Sequence, residues 1–142
     1  MIDLYTWATP NGRKISILLE EINTPYSVHA VNIIENEQFS DEFSRIAPSN
    51  KIPAIIDRDN GQSIFESGAI MMYLAKKHNQ FLSQKHYWQI MEWVIFQLSQ
   101  VGPVLGQAHQ FLYYHPNQSE FVEKKYIDYT KRIYQTLNER LK

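Results

Sequence analysis

The segment Asn50-Lys51-Ile52-Pro53-Ala54-Ile55 constrains this chain more than any other. It reads as an apolar strand led by proline. Proline has no N–H for a sheet ladder and fixes its own φ, so it belongs at strand starts, edges and bulges. At the head of a strand it can take the cis form that is rare elsewhere. That geometry leaves the backbone N–H and C=O of Ile52 outside the ladder, where an extended peptide can pair with them as an added strand does. Shortly afterwards, Phe65-Glu66-Ser67-Gly68-Ala69-Ile70 reads as a short strand ending in an acid–serine pair that opens a helix. Backbone N–H groups and the helix dipole at such a start attract a carboxylate. Together the two segments predict a docking site for a small peptide carrying both charged ends.

The rest of the first half supplies a scaffold for that site. Ile2 to Trp7 reads as a strand and Thr9-Pro10-Asn11-Gly12 as a turn. Ile15, Leu18, Leu19 and Ile22 recur at helical spacing, with a stop at Thr24-Pro25. Tyr26 to Val31 alternates as a second strand, so the opening unit is βαβ with a parallel pair. A short helix is predicted over Asp41–Ile46. A hairpin of Ala54–Asp57 and Ser63–Phe65 is predicted around Asp59-Asn60-Gly61. A helix over Ser67–Lys77 would turn Ile70, Met71 and Leu74 inward. The sum, βαβ–α–ββα over residues 1–80, is an α/β thioredoxin-like domain.

Residues 84–142 contain no convincing strand. Trp88, Met91, Ile95, Leu98 and Val101 or Gly102 trace one helix stripe. After a polar break at His115-Pro116-Asn117-Gln118, Val122, Tyr126, Tyr129, Ile133, Leu137 and Leu141 trace another, with Ser119 as its N-cap. The expected second domain is therefore a partial all-α layer of two helices, with a boundary near Gln80–Gln84. Two such helices alone would leave apolar surface uncovered, at about 25 cal/mol of forgone burial per Å².

Charge and composition narrow the function. A formal net charge of -1 does not favour nucleic acid or an acidic membrane as partners. No apolar run approaches the ~20 residues of a membrane span. Met1-Ile2-Asp3-Leu4-Tyr5 lacks the basic and apolar regions of a secretory leader, so a cytoplasmic protein is expected. The chain has no cysteine, which removes disulfides, thiolate metal sites and a cysteine nucleophile. His78, His86, His109 and His115 lack paired ligand spacing, and no metal is expected.

Four motifs in order resemble the glutathione transferases. They are Thr9-Pro10-Asn11-Gly12-Arg13-Lys14-Ile15, Asn50 to Ile55, Glu66 to Ile70, and Gln100-Val101-Gly102-Pro103-Val104-Leu105-Gly106-Gln107. The finer resemblance is to the Nu-class branch of bacterial disulfide-bond oxidoreductases, which is similar to the fungal nitrogen-regulatory prion protein. It covers essentially the whole chain. Family members have a longer helical domain than the one read here.

The resemblance implies glutathione as cosubstrate and assigns residues to it. Thr9 would donate a hydrogen bond to the glutathione sulfur, and Asn11 would add a second polar contact. Ser67 would take the γ-glutamyl carboxylate and Glu66 its ammonium. Lys51 would lie near the glycyl carboxylate. The Ile52 backbone would pair with the peptide, with Pro53 as its structural support. Gln38 and Arg132 would add further ligand contacts. Plainer explanations stand beside each. Thr9 can be an N-cap before Pro10, Asn11 a turn residue, Glu66–Ser67 a capping pair, and Lys51, Gln38 and Arg132 solvated side chains. Tyr5, where other classes carry a catalytic tyrosine, reads mostly as packing, and Ser16 falls inside the first helix.

The implied activity is glutathione-dependent thiol–disulfide exchange on a small disulfide, with bound glutathione as the only thiol. The alternatives are conjugation of glutathione to an electrophile and a non-enzymatic glutathione-binding or regulatory module. The resemblance also implies a homodimer.

Overall fold

The computed structural model describes every residue from Met1 to Lys142. The chain divides into two compact units, Met1–Lys85 and His86–Lys142.

In the first unit, strand β1 (Ile2–Thr6) leads into helix α1 (Pro10–Glu21) and strand β2 (Tyr26–Ala30). A 3-10 turn over Glu37–Phe39 and helix α2 (Asp41–Ile46) follow, then the hairpin β3 (Ala54–Asp57) and β4 (Gln62–Phe65), then helix α3 (Ser67–His78). The sheet order is β2-β1-β3-β4. β1 runs parallel to β2, from Ile2↔Tyr26 to Thr6↔Ala30, and antiparallel to β3, from Ile2↔Asp57 to Tyr5↔Ala54. This is the thioredoxin-like arrangement expected from the pattern. Alternation along β1 sends Ile2 and Leu4 to one face, where they pack with Ile15, Leu19, Ile22, Ile55, Ile70 and Leu74. Tyr5 goes to the other face and joins Val31, Phe43, Ala47 and Ala54.

Local chemistry sets the element ends. α1 is closed by Ile22 and by Asn23 at φ 51°, slightly before the Thr24-Pro25 stop read from the sequence. Asparagine tolerates that left-handed backbone better than most side chains. Gly61 at φ 72° turns the hairpin, and β4 starts one residue earlier than predicted.

Two buried carboxylates brace the first unit. Asp57 is fully buried at the end of β3. It accepts from Tyr73 Oη and Lys77 Nζ, each at 2.5 Å, and from the Asp59 N–H at 3.0 Å, which ties the hairpin to α3. Burial alone would raise its pKa, but the Lys77 and Tyr73 hydrogen bonds together win and lower it. Asp3 is held by Arg58 and by His29 Nε2 at 2.7 Å. The Arg58 hydrogen bonds, against an opposing desolvation, bring its pKa from 3.8 to about 2.

Both groups ionise more readily folded than unfolded. Their stabilisation is therefore present above the ordinary carboxylate pKa and is lost as the pH falls, for Asp3 between 3.8 and about 2 and for Asp57 in the same direction. Circular dichroism through an acid titration should show the first unit unfolding in that window. Asp57→Ala, which leaves Lys77 and Tyr73 without their acceptor, should lower stability by about 3 kcal/mol at neutral pH. An unaltered denaturation midpoint would mean that the ion pair does not brace the hairpin.

The second unit is helical throughout. α4 (Tyr87–Phe96) runs through a π-helical segment, Gln97–Val101, into α5 (Gly102–His109), and a second π segment, Gln110–Tyr114, ends the run. The Gly102 N–H returns to Gln97 C=O, five residues back. Pro103 explains the shift, because it has no N–H to give the Ser99 carbonyl. α6 (Glu120–Arg140) is capped by Ser119, whose Oγ accepts from the Val122 N–H at 3.4 Å. Phe111 stacks on Tyr126 at 5.4 Å.

The apolar stripe on α4 divides between buried and exposed positions. Met91 is buried, but Trp88 is 77 % exposed and Ile95 54 %. α4 is apolar on most of its circumference, so spacing alone could not single out the inward face. On the α6 stripe Ile133 is buried, whereas Leu141 lies past the helix end and is exposed. No helix is long and apolar enough to cross a membrane.

Candidate functional site

Strand register brings the first unit's predicted residues to one end of the sheet. Tyr5 pairs with Ala54, and Ala54 pairs with Phe65. The β1–α1 loop with Thr9, the Ile52-Pro53 entrance to β3 and the Glu66-Ser67 exit from β4 therefore meet at that end. β2 finishes there too, since Thr6 pairs with Ala30 and the Val31 N–H donates to Thr6 C=O at 2.9 Å. The carboxyl ends of parallel strands are where ligands bind in open α/β sheets.

Thr9 is the N-cap of α1, with Pro10 at the first helical position. Its Oγ1 accepts from the Gly12 N–H at 3.3 Å. Capping uses an oxygen lone pair, so the hydroxyl hydrogen stays free to donate. Asn11 is exposed, and its Oδ1 accepts from Lys14 Nζ at 2.9 Å. Gly12 is buried against the same loop. A Cβ there would lie 2.2 Å from Thr6 Oγ1 and 2.7 Å from Trp7 O. Sequence reasoning read Gly12 only as part of a turn.

The Ile52–Pro53 peptide bond is cis. Ile52 lies just outside the β3 ladder, and its backbone N–H and C=O have no hydrogen-bond partner in the chain. Its side chain packs against the Val31–Phe43–Ala47–Ala54 cluster, and Pro53 is buried. Asn50, at φ 53°, braces the approach by donating Nδ2 to Gln38 O at 2.9 Å and to Ser44 Oγ at 2.6 Å. That places Gln38 beside the Lys51–Pro53 segment. Gln38 Oε1 is buried without a partner, an arrangement that normally calls for an unseen donor. Lys51 is exposed and forms no ion pair.

Glu66 and Ser67 do not form a capping pair. Glu66 holds φ 70°, ψ 119° and makes no side-chain cap hydrogen bond. A non-glycine residue in such a conformation costs on the order of 1–3 kcal/mol, and such strain clusters at ligand sites. Ser67 is buried, yet its hydroxyl has no partner in the chain. The first backbone bond of α3 is Ile70 N–H to Glu66 C=O, which leaves the N–H groups of Ser67, Gly68 and Ala69 open.

Tyr5 stacks on His29 at 4.7 Å and tilts against Phe43 at 6.4 Å. Burial, helped by the Asp3 carboxylate, pushes its phenol pKa up. Ser16 donates to Arg13 O inside α1. Arg132 belongs to the second unit, where its guanidinium lies over the Tyr129 ring at 4.8 Å. It lines a cleft of about 330 Å³ with Gln100, Val104, Ile133 and Thr136.

A mixed four-stranded sheet with a proline-led third strand and an open helix start after the fourth defines a glutathione-transferase type of domain. Comparison with known proteins agrees. Residues 1–76 match the model of the glutathione S-transferase N-terminal domain, and the chain belongs to that family. It is 43 % identical, over 99 % of its own length, to the disulfide-bond oxidoreductase YfcG of Escherichia coli. It superposes with a TM-score of 0.91 and 38 % identity on a glutathione transferase from Pseudomonas putida solved with one glutathione disulfide per subunit. A glutathione transferase from Burkholderia graminis, with two glutathione molecules per subunit, gives 0.93 and 38 %. Both matches cover 99 % of this chain. The chain spans 69 % of YfcG and 64 % and 62 % of the two crystallised transferases.

Proposed function

We propose that this chain binds glutathione across the three loops at the end of its sheet and uses the bound thiol for thiol–disulfide exchange. The observation that carries the reading is the set of recognition groups left without partners there. They are the Ile52 backbone pair, the open N–H groups of α3 with the Ser67 hydroxyl, and the strained, unpaired Glu66 carboxylate. Each matches one part of a γ-glutamyl tripeptide. Ser67 and the α3 N-terminus take the α-carboxylate, Glu66 takes the ammonium, Ile52 pairs with the cysteinyl backbone, and Lys51 meets the glycyl carboxylate. Gln38 Oε1 accepts a further ligand N–H. In the second unit, Arg132 takes a glutathione carboxylate in its own cleft.

Because the chain has no cysteine, both reacting sulfurs come from ligands. Thr9 and Asn11 stabilise the thiolate with hydrogen bonds at the positive end of α1. The thiolate sulfur bonds to one sulfur of the substrate disulfide and expels the other as a thiolate. A second glutathione thiolate then displaces the remaining substrate sulfur, giving glutathione disulfide. Two electrons pass from two glutathione thiols to the substrate, whose two thiolates take up the protons released. The protein orients and stabilises and forms no covalent bond itself. Conjugation to an electrophile would use the same thiolate. A glutathione-dependent reductase works where glutathione is the thiol pool, which places it in the cytoplasm.

Calorimetric titration with glutathione, paired with a disulfide-reductase assay on one preparation, tests the reading. Binding with turnover supports it, binding alone supports a regulatory module, and no binding removes it. Thr9→Ala should raise the pKa of the bound thiol by about one unit, equivalent to ~1.4 kcal/mol of thiolate stabilisation. An unshifted thiolate absorbance titration would return Thr9 to helix capping alone.

A symmetric homodimer belongs to the same proposal. The exposed Trp88 and Ile95 on α4 form an apolar face of the kind that marks an interface. Sedimentation at micromolar concentration should give twice the chain mass, and Trp88→Glu should shift it to the monomer. A monomeric parent would overturn the dimer.

A further inference from the structure

Lys14 belongs to the first motif but has no part in the proposed chemistry, and its surroundings are unusual for a lysine. Its ammonium donates to Asn11 Oδ1 at 2.9 Å, one turn back on α1. No carboxylate acts on it, and burial, the sole influence on its titration, pulls its pKa below the ordinary lysine value. Its charge is therefore uncompensated beside the N-terminus of α1, where the backbone is already electropositive.

The hydrogen bond also decides which way Asn11 faces. A carboxamide has an accepting oxygen edge and a donating NH2 edge. An ammonium can only donate, so it fixes the oxygen toward Lys14 and the NH2 on the opposite edge. That NH2 makes no hydrogen bond in the chain. Freed from Lys14, the amide could rotate and set its oxygen against a thiolate, where two electron-rich groups repel.

We propose that Lys14 is a positioning residue for the thiolate: it locks the Asn11 carboxamide with its NH2 edge available to the glutathione sulfur. The inference rests on glutathione binding at this site. It goes beyond an exposed helix pair three residues apart, which contributes only about 0.2–0.5 kcal/mol to helix stability and would not alter a ligand's titration.

The test is a double-mutant cycle read by the thiolate absorbance of bound glutathione against pH, with calorimetric binding measured first on the parent chain. Lys14→Met should raise the thiol pKa by about half a unit or more, an approximately threefold loss of thiolate at neutral pH. Lys14→Arg, which keeps donor and charge, should restore most of it. In the Asn11→Ala background Lys14→Met should add little. Lys14→Gln is measured alongside as a second uncharged substitution, with thermal melts to confirm that each variant folds. An unmoved titration in both uncharged variants overturns the proposal. So does an equal shift with and without Asn11, which would make Lys14 a charge acting directly. Absence of binding to the parent chain overturns the glutathione reading itself and is distinguishable from either result.

Discussion

Ser67→Ala is expected to weaken glutathione binding roughly ten- to a hundredfold, about 1.5–3 kcal/mol, the range for a hydrogen bond to a charged group. The side chain is buried at the start of α3 with an unpartnered hydroxyl, among backbone N–H groups that no residue of the chain satisfies. It caps nothing, because the cap position is Glu66 and no side-chain cap bond exists. Removing one oxygen should therefore leave the stability within about 0.5 kcal/mol of the parent, the usual range where no structural mechanism is touched. Isothermal calorimetry reads the affinity and a thermal melt reads the fold. The thiol pKa of whatever glutathione still binds should be unchanged, since Ser67 meets the far end of the ligand. Parent-like affinity would exclude Ser67 from the site and leave the strained Glu66 without its proposed purpose.

The parts of this molecule legible in its sequence are those encoded by neighbours along the chain. Alternation over Ile2–Tyr5, helical spacing from Ile15 to Ile22 and the Asn60-Gly61 turn each carry their own period or backbone preference. Hence the first unit's topology followed from local signals. The second unit was less transparent. α4 is apolar nearly all round, so its spacing does not separate the exposed Trp88 and Ile95 from the buried Met91. The first π segment depends on the missing Pro103 N–H, which alters the ladder upstream in a way that apolar spacing does not register. At the site, Thr9, Glu66 and Ser67 were visible because their chemistry is suited to helix starts. Asn50, Gly12 and Lys14 were not singled out. The hydrogen bonds of Asn50 reach back to Gln38 and Ser44, and the role of Gly12 depends on how closely α1 approaches Thr6 and Trp7. Such contacts exist only after the chain has folded. The left-handed φ that asparagine tolerates was the one available hint for Asn50.

Gly12→Ala should destabilise the first unit by about 1–3 kcal/mol, the cost of forcing a methyl group into a filled space. The sign is the informative part. Within a helix, Gly→Ala ordinarily stabilises by roughly 0.5–1 kcal/mol. A glycine present only to make a turn would therefore give a higher melting temperature. Here the new Cβ would lie 2.2 Å from Thr6 Oγ1 and 2.7 Å from Trp7 O. The Thr6 hydroxyl can rotate away, because it makes only a long 3.4 Å contact to Trp7 O. The Trp7 carbonyl cannot yield so cheaply. It is backbone, and it accepts the Thr9 N–H at 2.6 Å. Relief must come from moving α1 away from the loop, which stretches the 3.3 Å cap between Gly12 N–H and Thr9 Oγ1. Losing that cap costs about 1 kcal/mol and releases the hydroxyl proposed to hold the thiolate. Gly12→Ala should thus show the converse of Ser67→Ala. Its melt should fall and its bound thiol pKa should rise, while binding of the γ-glutamyl end persists at the unaltered α3 N-terminus. A higher melting temperature with an unchanged thiol titration would mean that α1 does not approach the β1–α1 loop closely and that Thr9 is not held by it.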